Sequence, residues 1–80
     1  MENKAMERTL YRVLRKTGVH REQISPDASF DDDLNFDQLD WTLFIYYLEG
    51  FFKIELEEKE IGRLSRVNDT LKILKEHTKS

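Results

Sequence analysis

Apolar residues recur at helical spacing near the start of the chain. Met6, Leu10, Val13 and Leu14 are separated by four, three and one, the stripe of an amphipathic helix. Gly18 follows Thr17 where a left-handed glycine commonly ends a helix. The pattern predicts a first helix over about residues 3–16. Residues 18–36 read as a long loop, because Pro26 cannot sit inside a helix and Ser25 before it favours extended geometry. Val19, Ile24, Phe30 and Leu34 are spaced to peg that loop onto a core, and Glu22 and Gln23 suit a short turn.

Asp37 suits an N-cap, since its carboxylate can accept a backbone N–H from the first turn. Asp40 adds negative charge near the positive end of the helix dipole. A second helix is predicted over about 37–51. Lys53-Ile54-Glu55-Leu56 is an extended connector, a short third helix covers 57–63, and a fourth covers 67–76 with Ser65 as its N-cap. Val67, Leu71 and Leu74 share one face of the fourth helix, and His77 to Ser80 reads as a frayed tail. The expectation is one all-α domain over residues 1–80, with three longer helices and one short one.

The second helix is apolar almost all round. Leu39, Thr42, Leu43, Ile45, Tyr46, Leu48, Gly50 and Phe52 cannot all face one core, so part of this helix contacts something else. Trp41 and one of Tyr46 and Tyr47 are expected to be solvent-exposed, marking a surface for a partner or for a second copy.

Size and charge narrow the function. Eighty residues bury a small core and leave little room for an enzyme pocket, so no catalytic residues are assigned. The net charge of −3 argues against nucleic acid as a partner. Arg8, Arg12, Arg15 and Lys16 do gather on the first helix, and read as a solvated face or as a contact for an acidic partner. The N-terminal Met1-Glu2-Asn3-Lys4 lacks a signal-peptide core, and Trp41 to Phe52 is too short to span a bilayer, so no membrane partner is expected and the location is read as cytoplasmic. There are no cysteines, and His20 and His77 are too few for a metal site. Asp31, Asp33, Asn35 and Asp37 partly imitate a calcium loop, but Phe36 stands at its glycine position and Thr42 at its terminal glutamate, so no metal is assigned.

The passage Ala28-Ser29-Phe30, Asp31-Asp32-Asp33-Leu34-Asn35 and Asp37-Gln38-Leu39-Asp40 resembles that of bacterial acyl carrier proteins. There, Ala-Ser-Phe and acidic residues lead into Asp-Leu-Gly and then Asp-Ser-Leu-Asp. The likeness continues through Leu48-Glu49, Phe52, Ile54, Leu64, Ser65 and Val67, and covers about residues 18–74. It implies a four-helix acyl-carrier bundle. In that family the serine at the helix start is esterified with a phosphopantetheine arm that carries acyl groups as thioesters. Here the corresponding residue is Gln38, whose amide cannot form that phosphodiester, so no phosphopantetheine is expected.

The family also shows partner enzymes an acidic second helix. In this chain Leu43 stands where a surface glutamate is common, Gly50 and Phe51 replace two more acids, and Trp41 replaces a small polar residue. Asp37, Asp40 and Glu49 remain. The chain is similar to carrier-like bacterial families that lack the serine. The resemblance implies a non-catalytic protein-interaction module that binds through the second helix and the acidic loop before it, with Asp37, Gln38, Leu39, Trp41, Leu43 and Tyr47 as the partner-binding residues. The alternatives are a genuine acyl or peptidyl carrier, or a non-covalent binder of an acyl ligand.

Overall fold

The computed structural model describes the backbone of residues 3–78 and the side chains of residues 4–77. The polar start at Met1 and Glu2 and the tail at Lys79 and Ser80 lie outside the described residues. The fold is all-α, a bundle of four helices. These are α1 (Asn3–Thr17), α2 (Gln38–Phe52), the one-turn α3 (Glu58–Ile61) and α4 (Val67–Thr78). A 3₁₀ turn at Arg21–Gln23 interrupts the long loop between α1 and α2.

The stripe of α1 becomes the wall of the core: Met6, Leu10, Val13 and Leu14 are all essentially inaccessible. Gly18 adopts φ 116°, and the N–H groups of Gly18 and Val19 donate to Arg15 and Leu14 carbonyls, satisfying acceptors at the helix end. The loop is not loose. Ala28, Phe30 and Leu34 are buried, with Val19 and Ile24 packed against the core edge. Its backbone is tied to the entry of α4: Phe30 N–H donates to Ser65 C=O, Val67 N–H to Ala28 C=O and Asn68 N–H to Pro26 C=O. The Arg66 guanidinium donates to Asp27 C=O at 2.6 Å.

Two expectations at helix ends are corrected. Ser65 does not cap α4. Instead the Asp69 carboxylate, inside the first turn, accepts the N–H groups of Ser65 and Arg66 at 3.1 and 2.8 Å. His77 is not in a frayed tail, since α4 runs on to Thr78 and His77 Nε2 lies 2.8 Å from Glu60 Oε2.

A third correction concerns Trp41. It is half-buried rather than exposed, within a cluster of Phe30, Phe36, Trp41 and Phe44 whose ring centroids lie 4.8–6.0 Å apart. The reason is periodicity. Trp41 precedes Phe44 by three and Leu48 by seven, so it shares their face, and Phe30 and Phe36 from the loop close over it. Tilted and edge-on aromatic pairs of this kind add about 0.5–1.5 kcal/mol each beyond area burial.

Candidate functional site

The N-terminus of α2 is built by reciprocal capping. Asp37 Oδ1 accepts the Asp40 N–H at 2.9 Å, and Asp40 Oδ2 accepts the Asp37 N–H at 3.1 Å. An aspartate thus serves at the position where a capping box more often has glutamate. Gln38 is the first helical residue. Its side chain is exposed, and its carbonyl accepts the Thr42 hydroxyl at 2.9 Å. The backbone just before this cap turns through Asn35 at φ 52°, a left-handed conformation that asparagine tolerates better than most residues.

Beyond the cap, α2 divides into opposite faces. Phe44, Leu48 and Phe52 point into the core. Leu39, Leu43, Tyr46 and Gly50, at spacings of four, three and four, lie on the far side. Leu39 is 66% exposed and Tyr46 is 70% exposed, while Leu43 is half-buried. Tyr47 flanks this face, half-buried, with its ring 5.5 Å from that of Tyr46. Tyr46, Tyr47, Glu49, Gly50 and Phe51 line an open groove.

A Cβ on Gly50 would meet nothing within 4 Å, so internal packing does not demand glycine there. A glycine inside a helix costs about 0.5–1 kcal/mol relative to alanine. The space it leaves is on the outside of the protein. Phe51 lines the groove, and the Lys16 ammonium sits 6.0 Å from its ring centroid.

The structure therefore brings Leu39, Leu43 and Tyr46 onto one exposed face with Tyr47 at its edge. It places Asp37 and Gln38 at the entry of the helix and Trp41 on the opposite, inward face. Tyr46 is the exposed tyrosine of the expected pair, yet neither it nor Gly50 stood in the partner-binding set drawn from sequence, although their spacing from Leu39 and Leu43 carried the signal. Asp31, Asp32 and Asp33 are exposed. Asp33 Oδ2 accepts the Ser29 N–H at 2.7 Å, and Ser29 Oγ accepts the Asp32 N–H at 3.1 Å, so two of the three acids shape the loop that leads to the cap. Among the described residues no helix is long and apolar enough to cross a membrane.

No family model matches the chain. Over 65 residues it is 38% identical to the acyl carrier protein of Chlamydia trachomatis, an alignment that takes in 81% of this chain and 84% of that protein. Carrier proteins are non-catalytic and work by interacting with partner enzymes. Identity at this level over four-fifths of both sequences, on an all-α carrier-like bundle, places the chain in the acyl carrier protein family.

Proposed function

We propose that this chain is a member of the family that has lost the carrier serine and acts as an arm-less interaction module. The observation that carries the reading is Gln38, exposed as the first residue of α2 directly after the Asp37 cap. In the carrier motif Asp-Ser-Leu this is the serine's place. Asn35 supports the alignment: it stands where the family has glycine and adopts the left-handed backbone that glycine would supply. The nearest other serine, Ser29, is buried in the loop, with its hydroxyl accepting from Asp32. No phosphopantetheine is therefore carried. A helix start suits a phosphate, but an amide offers no hydroxyl oxygen to esterify.

The partner is a protein that covers Leu39, Leu43, Tyr46 and the Gly50 groove, with Tyr47 at its edge and Asp37 and Gln38 at its end. Trp41, half-buried on the inward side of α2, supports this face from within. Carrier-type partners meet an acidic helix; here most of that charge is replaced by apolar side chains, which favours a partner with an apolar patch in place of a basic one. The chain acts in the cytoplasm.

Two measurements test this reading. Intact mass of the chain purified from its own cells gives the bare polypeptide; a species heavier by one phosphopantetheine makes it a carrier. A photo-crosslinking residue at Tyr46 gives a discrete protein adduct in those cells, which Leu39→Ser abolishes, and the same residue at Lys72 on α4 does not. Equal adducts from both positions, or none from Tyr46, contradict a partner on α2.

A further inference from the structure

The outer face of α1 carries a second feature that the α2 reading leaves unused. Arg8, Arg12 and Arg15, at spacings of four and three, stand opposite the buried Met6–Leu10–Val13–Leu14 stripe. The chain beyond α1 adds Arg21 from the 3₁₀ turn and Ile24 just after it. With Tyr11 these residues line a cleft of about 390 Å³. Among the described residues, no ion pair or hydrogen bond engages any of the four guanidinium groups.

Four unneutralised arginines around one cleft are unexpected on a chain of net charge −3. Arg8 and Arg12, and Arg12 and Arg15, are like charges at i,i+4 and i,i+3, an arrangement that destabilises a helix. No carboxylate of the described residues forms an ion pair with these arginines, and the nearby Glu7 is turned to Tyr11. Arginine's planar fork matches oxyanions, and a phosphate presents more acceptor oxygens in a small volume than one carboxylate does. The remaining wall is apolar and aromatic: Ile24 and Tyr11 are both half-buried, and burial, with the neighbouring Glu7 carboxylate, pushes the Tyr11 phenol up. The cleft falls within the size of small-molecule sites, roughly 300–1,000 Å³. Glu7 and Glu22 stand beside it in sequence, so the basic surface does not extend as the stripe a nucleic acid would follow.

We propose that the Arg8–Arg12–Arg15–Arg21 cleft binds a small, soluble organic phosphate, its phosphate held by the guanidinium groups and its organic part laid on Tyr11 and Ile24. This site is independent of the α2 face and of Gln38.

The test is an amide chemical-shift titration of the full chain with ADP at constant ionic strength, beside inorganic phosphate and sodium chloride. ADP gives saturable shifts over residues 8–15 and 21–24, with a midpoint roughly tenfold below that of inorganic phosphate. The double variant Arg12→Gln/Arg15→Gln, which melts no lower than the parent because like charges have been removed, raises the ADP midpoint by roughly tenfold or more. Absence of saturation, shifts reproduced by sodium chloride, or an unchanged midpoint in the variant overturns the proposal. Tighter binding to phosphatidylglycerol vesicles than to ADP overturns the soluble source and makes the cleft a headgroup site.

Discussion

Thr70 shows how one atom can set stability in a domain of this size. Its side chain is buried on α4, and among the described residues its hydroxyl has no hydrogen-bond partner. A helical threonine usually turns its hydroxyl to the carbonyl one turn back. Thr9, Thr17 and Thr42 do so here, to Ala5, Val13 and Gln38. A buried hydroxyl left unpaired costs about 1–3 kcal/mol. Thr70→Val keeps the β-branched shape and removes the orphan group, so it is expected to stabilise the fold by about 1 kcal/mol, read as an upward shift in a urea midpoint with unchanged m. Sequence could place Thr70 beside the apolar face of the fourth helix, but not its lack of a partner, because that depends on where the helix starts and what packs over it. Trp41 is the converse case. The all-round apolar character of α2 suggests an exposed Trp41, whereas its register with Phe44 and Leu48 half-buries it against the core.

At the scale of elements, apolar spacing carried most of the information and capping the rest. α1 follows from one stripe and one glycine, and the entry of α2 from Asp37. The entry of α4 was harder to read because two capping devices compete there. Ser65 has the right residue type just upstream, yet Asp69 inside the first turn takes both available N–H groups. Those bonds, from Arg66 first and then Ser65, hold the Asp69 carboxyl below its ordinary range, with the charges of Lys72 and Arg66 acting the same way. A depressed folded-state pKa means that this contribution is present above the unfolded value and is lost as pH falls through the folded one. Asp69→Ala is expected to cost about 1 kcal/mol near neutral pH. It should also flatten the acid limb of the stability curve, so that variant and parent converge as the pH drops below the carboxylate range. Denaturant melts across that range check both parts, and a pH-independent difference would show that Asp69 acts by packing alone. The loop from Gly18 to Phe36 was legible as pegged but not as paired: its hydrogen bonds to Ser65, Val67 and Asn68 join segments nearly forty residues apart, which no local pattern records.

For the molecule as a whole, the bundle leaves two surfaces with different chemistry. One is apolar and formed by a single helix, and Leu39, Leu43, Tyr46 and Gly50 reveal it from spacing alone once the core face is known. The other is basic, and only folding brings Arg21 and Ile24 beside Arg8, Arg12 and Arg15. The acidic residues Asp31, Asp32, Asp33, Asp37 and Asp40 lie instead around the entry of α2, where the family mounts its arm. The central claim is that this entry keeps the carrier geometry and lacks only the attaching atom. It is tested most directly by incubating the parent and a Gln38→Ser variant with coenzyme A and a promiscuous phosphopantetheinyl transferase, and measuring intact mass. The account predicts an unmodified parent and a variant that gains one phosphopantetheine. A parent that gains the arm would contradict it by placing the attachment elsewhere, and a Gln38→Ser chain that folds but stays bare would show that the carrier geometry itself has been lost.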